Sequence, residues 1–306
     1  MRRLQKSFSV IALFLFAVGC EQGEEVSRLI PVDDSPLFRE LPPAASGRRF
    51  TETKYALLGG EYITTAESGQ VGRFVYFKDV GNKQLAYDFV PGLSLDGTDA
   101  VSYYIDQKRP SDDISVSISS GAISRAMNTW EGVACSQPSI YEIPFNRRVS
   151  TGYVSALFGF RGSFDYVADV LHAGWLPGSF FDLLAQDGST FILGVTFTII
   201  FTDDNGNPVD TDGNGKYDVA WREIYYNDAF TWRDGAHYDI ETIALHEAGH
   251  GLSQAHFGSA FLDAGSGELH FSPRAVMNAA YSGIQTQITE TDNAGHCSNW
   301  SSWSEN

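Results

Sequence analysis

The stretch His246-Glu247-Ala248-Gly249-His250-Gly251-Leu252-Ser253-Gln254-Ala255-His256 decides how the rest of the chain is read. On a helix turning about 100° per residue, His246 and His250 lie about 40° apart, one turn above the other. Both imidazoles then reach one metal ion. Glu247 projects near the same face but offset, poorly placed as a ligand and well placed to meet a water. Leu245 and Leu252 point the opposite way, toward a core. A chain reversal near residues 251–253 brings His256 back beneath the ion. Three neutral imidazoles with an open fourth position make a zinc site of the catalytic type. Zinc there acidifies water and polarises a carbonyl, and Glu247 takes up the proton and later hands it to the leaving amine. Peptide-bond hydrolysis is the chemistry served. The plainer reading is a surface helix with incidental histidines. Three of the chain's seven histidines in so short a stretch argue against it.

Working outward, Asp239 is placed to cap a helix over 239–253. Downstream lies Ala275-Val276-Met277-Asn278. HExxHxxxxxH followed by a Met-containing turn resembles the metzincin zinc endopeptidases, most closely their matrixin-like branch. That resemblance implies an α+β, zincin-like fold: a twisted mixed β-sheet above, a zinc-binding active-site helix beneath, and a small C-terminal subdomain with the Met-turn. Met277 would form a hydrophobic floor under the zinc without bonding it. A protein or peptide substrate would lie in the cleft and pair with an edge strand. VSYYID (101–106) with the following helix, VLHAGWLPG (170–178) and TDNAGHCSNW (291–300) are similar to further parts of a matrixin domain. The likeness covers roughly residues 98–306.

Four departures from that family stand out. Ser253 replaces the usual Gly, so the turn carries steric strain of about a kcal/mol or moves to Gly251. Phe257-Gly258 follows His256 where matrixins have Ser or Thr. No cysteine precedes the domain to cap zinc except Cys20. His172 has no partner histidine before His237, so a second, structural zinc is not expected and His172 reads as a hydrogen-bonded loop residue. His237 and His270 read as polar residues near the cleft, and His296 as structural. Tyr281 is a further candidate for zinc or transition-state contact, by analogy with a Tyr that some metzincins carry at a different spacing.

The remaining chain fits an exported globular protein. Its 306 residues are 43% hydrophobic and 19% charged, which supports a full core. A net charge of −17 speaks against nucleic acid as a partner. Tyr and Phe are abundant, favouring sheet. RFVYF (73–77), QLAYDFV (84–90), VSYYID, FILGVTFTIIF (191–201) and WREIYY (221–226) read as strands. Ile123, Ala126, Met127, Trp130 and Val133 recur at helical spacing after a cap at Ser120.

Arg2, Arg3 and Lys6 precede a short apolar stretch that ends at Gly19-Cys20. This resembles a bacterial lipoprotein signal, cut before a Cys20 that receives a lipid and anchors the protein to the cell envelope. Residues 1–19 are therefore read as signal, 20–70 as a tether or pro-segment, and 71–306 as the catalytic domain. In an oxidising compartment Cys135 and Cys297 suggest a disulfide, against two separate buried thiols. Asp210, Asp212, Asn214 and Asp218 stand at positions 1, 3, 5 and 9 of an EF-hand-like loop with Gly215 at position 6. They are candidate calcium ligands, with Glu223 standing in for the missing position 12. A solvated Asp/Gly turn is the alternative. The rival to a peptidase is a non-catalytic exported zinc- and calcium-binding surface protein.

Overall fold

The computed structural model describes residues 28–42, 54–77, 87–135, 138–301 and 303. The signal segment and Cys20 lie outside these residues. In chain order come β1 (Leu29–Pro31), β2 (Leu37–Phe38), β3 (Tyr55–Thr65), β4 (Phe74–Tyr76), β5 (Tyr87–Asp88) and β6 (Val101–Ile105). Then follow α1 (Val116–Glu131), β7 (Ile140–Glu142), α2 (Tyr153–Leu157), β8 (Val170–Leu176), α3 (Gly178–Phe181), β9 (Ile192–Phe201) and β10 (Tyr217–Asn227). The last part holds α4 (Ile240–Gly251), β11 (Ser259–Asp263), β12 (Leu269–Ser272), β13 (Ala280–Tyr281) and α5 (Glu290–Trp300).

The fold is α+β around one large mixed sheet, ordered β2-β4-β3-β9-β10-β8-β6-β7, with β13 attached to β3 and β5 to β10. β8 runs parallel to β6 and β10, whereas β9 is antiparallel to both its neighbours. β1, β11 and β12 form a separate small antiparallel sheet. Both faces of the large sheet are covered, which is why β9 reads as an unbroken apolar run rather than an alternating one. One core layer, with Met127, Trp130, Leu245 and Trp300, fills the space between sheet and long helices. The other, with Val154, Phe180, Phe197 and Tyr225, lies on the opposite face.

Helix α1 starts one turn earlier than expected. Ser115, not Ser120, is its cap, accepting the Ile118 N–H. Its buried face is the one read from the sequence, Ile123, Ala126, Met127 and Trp130. Trp130 Nε1 donates to the Leu245 carbonyl at 2.8 Å and ties α1 to α4.

The expected tether to residue 70 does not hold where the chain is described. β3 lies inside the sheet between β4 and β9, and β1 and β2 also pair with later strands. Leu57, Leu58, Tyr62 and Ile63 are buried. Gly59 and Gly60 hide this strand from sequence reading, because glycine weakens strand signals. They are needed for close approach: a Cβ would sit 2.1 Å from the Phe74 ring at Gly59 and 2.8 Å from the Phe197 ring at Gly60. β9, the strand beside α4, is not an edge, because β3 pairs along it from Tyr55–Phe201 to Thr64–Ile192.

Candidate metal centre

Helix α4 is capped by Asp239, whose carboxylate accepts the Thr242 N–H, and Glu241 sits in its first turn against the helix dipole. From Thr242 to Gly251 every residue is buried, so packing rather than an exposed polar face stabilises it. Interior glycine costs a helix about 1 kcal/mol. At Gly249 that cost has a reason: a Cβ there would lie 2.3 Å from Met277 Sδ. The turn carrying Met277 packs directly on the helix that bears His246 and His250. The helix ends at Leu252, and Ser253 takes the left-handed conformation itself, at φ 65°, while Gly251 stays helical. The Ser253 hydroxyl accepts from the buried Arg222 Nη2 at 3.0 Å, which holds the strained turn.

The turn brings the three histidines together. His250 Nε2 lies 3.0 Å from His246 Nε2 and 3.3 Å from His256 Nε2. Zinc bound tetrahedrally at about 2.0–2.1 Å needs nitrogens about 3.3–3.4 Å apart. His246 Nδ1 donates to the Val276 carbonyl and His250 Nδ1 to the Gln254 carbonyl, each at 2.7 Å. Those bonds set the tautomer and leave each Nε2 a lone pair aimed at its neighbours. His256 Nδ1 has Glu61 Oε1 3.2 Å away. Three converging lone pairs repel unless a cation lies between them, so the donor set fits a divalent metal such as zinc. Burial holds all three imidazoles neutral: His250 is pushed down to about 3, and His246 and His256 lie well below their usual range. Among the described residues no fourth His, Cys, Asp or Glu joins this group.

Glu247 is fully buried. Thr196 Oγ1 donates to its Oε2 at 2.6 Å, while among the described residues Oε1 has no hydrogen bond of good geometry and the Ile63 N–H lies near the carboxylate. Burial, with the Glu61 charge adding, raises its carboxyl well above the usual range. A bound dication would draw it back down. Gly194 leaves room for this side chain, since a Cβ there would lie 2.9 Å from Glu247 Oε1.

Met277 is 1% exposed, and its N–H and that of Val276 are both accepted by Asp292. Asp292 also accepts from Thr289 in the capping box of α5. Asp292 lies in the stretch likened to the last matrixin helix, but its role beneath the Met277 turn does not follow from that likeness, and Thr196 carries no local motif. Glu61 was hidden with β3, although a lone acid inside the apolar stretch YALLGGEYITT is a usable signal. Its carboxylate lies 3.2 Å from Nδ1 of both His250 and His256 and accepts the His256 N–H. Burial pushes Glu61 up to about 7.

Other expected residues fall elsewhere. His172 is in strand β8, not a loop, and is paired with the Tyr226 hydroxyl at 2.8 Å. Tyr281 does not face the triad; its hydroxyl meets the Asp239 N–H at the start of α4. His237 is exposed beside Glu67, and His270 is exposed on β12. His296 is buried and stacks on Trp130. Cys135 and Cys297 form a disulfide joining the chain beyond α1 to α5.

In the acidic loop Asp210, Asp212 and Asp218 bring carboxylate oxygens within 4.8 Å of one another. Asn214 instead turns its amide to Asp88 and Asp212. Glu223 is remote from the loop. It accepts the Tyr153 and Val154 N–H groups at the start of α2, because its strand position points it to the opposite face.

Two cavities of about 300 and 330 Å³ adjoin the triad, both lined by Tyr87, Ala255 and His256. The side-chain exposures of 1% for His250 and 14% for His256 agree that the approach is from the His256 side. No protein-family profile matches the chain, and no curated protein matches it.

Proposed function

We propose that the chain is a zinc-dependent endopeptidase with a metzincin-like fold, exported and anchored through a lipid on Cys20. The observation that carries this reading is the pairing of three converging Nε2 atoms with a buried carboxylate, Glu247, on the same helix. His246, His250 and His256 would hold the ion. When bound, it supplies Lewis acidity to a carbonyl and acidifies water.

The remaining work falls to the chain's own residues. Glu247 takes a proton from water and delivers it to the leaving amine. Thr196 fixes one carboxylate oxygen, and the other carries out that transfer. The enclosed setting strengthens every charge interaction. Met277 supports the ligand helix from below through its contact at Gly249. Peptide reaches the centre past His256, along the cavities that this residue lines.

The test is cleavage of a proteome-derived peptide library by the purified protein, with and without 1,10-phenanthroline, beside zinc stoichiometry. Glu247→Gln is expected to keep one zinc and lose about 10²–10⁴-fold in rate, the usual worth of a general base. Undiminished cleavage by that variant rejects the mechanism.

A second reading, a non-catalytic zinc- and calcium-binding surface protein, draws support from the covering of β9 by β3, so that among the described residues the strand beside α4 offers no free edge to a substrate. It predicts stoichiometric zinc with no cleavage of any library peptide.

A further inference from the structure

We propose that Glu61 is a positioning residue of the metal centre, so that strand β3 is an integral part of the site rather than a detachable leader. This rests on the metal reading above.

Three observations lead to it. First, one carboxylate spans two ligands: Oε2 is 3.2 Å from His250 Nδ1, and Oε1 is 3.2 Å from His256 Nδ1 and 3.1 Å from the His256 backbone nitrogen. These are the ring edges away from the converging Nε2 atoms. Beside His256 Nδ1 a carboxylate favours the Nδ1–H tautomer and a lone pair on Nε2; at His250, whose Nδ1–H is donated to the Gln254 carbonyl, its negative charge reinforces the same polarity. Second, Glu61 is 7% exposed, and its only ion-pair partners among the described residues are these two histidines. The Arg222 guanidinium offsets part of its charge, but the two rings beside it are neutral, and a buried anion so placed is incompletely compensated. A dication held on the far side of the same rings removes that deficit. Third, the backbone pins the arrangement. Glu61 lies opposite Thr196 in the β3–β9 register, which places the two side chains that serve His250, His256 and Glu247 on neighbouring strands. Gly72, just past β3, presses on the third ligand so closely that a Cβ would lie 2.8 Å from His256 Cε1.

The experiment is a zinc titration of the metal-free full chain against a competing chelator, for wild type, Glu61→Gln, Glu61→Asp and Ile63→Val. Cobalt-substituted spectra are recorded for each. Second-shell losses weaken metal binding about 10–100-fold, and that is the range expected for Glu61→Gln, with a shifted cobalt spectrum. Glu61→Asp, with a shorter arm, falls between it and wild type, and carries the test alone should Glu61→Gln not fold. Ile63→Val, two residues along the same strand, keeps wild-type affinity and spectrum while losing some stability. Zinc affinity and cobalt spectrum unchanged in both Glu61 variants would overturn the proposal. If instead the wild type takes up no stoichiometric zinc, the metal reading itself fails, and this inference with it.

Discussion

Ser253 shows how a single residue settles a local contest. Its left-handed backbone costs a non-glycine residue about 1–2 kcal/mol, yet its hydroxyl satisfies the buried Arg222. A hydrogen bond to a charged group is worth about 1.5–3 kcal/mol, so the bond outweighs the strain. Ser253→Gly is expected to destabilise by about 1 kcal/mol in urea unfolding, although glycine suits the turn. A stabilised variant would show that strain dominates. At this scale the sequence was informative where the chemistry is local. The histidine spacing and the offset of Glu247 follow from helix geometry alone. Glu61 follows from nothing local, because it meets its partner 195 residues away across a sheet. Ser253 was legible as an anomaly, but its remedy, Arg222, lies 31 residues away on β10.

At the level of elements, the Met-turn is held between two helices. Met277 packs on α4 at Gly249, while Asp292 of α5 gathers the N–H groups of Val276, Met277 and Thr289 and the Thr289 hydroxyl. An amide in place of this carboxylate turns one acceptor into a donor facing donors. Asp292→Asn is therefore expected to cost about 3 kcal/mol and to weaken zinc uptake, read by thermal unfolding with and without metal. If stability falls but zinc affinity does not, the turn does not brace the ligands. Strands with continuous apolar or aromatic runs, β6 and β9 among them, were readable because burial on both faces leaves that signature. β3 was not, since Gly59 and Gly60 are chosen for closeness to Phe74 and Phe197 rather than for strand preference. The start of α1 slipped by one turn because two serines compete for the cap.

For the whole molecule, the mixed sheet stretches past the ligand helix to take in the N-terminal strands, and this changes where the domain begins. The composition announced a core, but not which end of the chain completes it. The covalent counterpart is the Cys135–Cys297 bond, which closes a loop of 162 residues. Disulfides of this kind contribute about 2–5 kcal/mol. Paired Cys→Ser substitution is expected to lower stability in that range in chemical unfolding, and an unchanged midpoint would count against it. The same connectivity governs how a proteolytic cut would look on a gel. His246, His250, His256, Glu247 and Met277 lie inside this covalent ring, whereas Glu61 lies outside it. A single nick within the ring leaves the fragments joined until a reductant is added, so intact mobility under non-reducing conditions is no proof of an uncut chain.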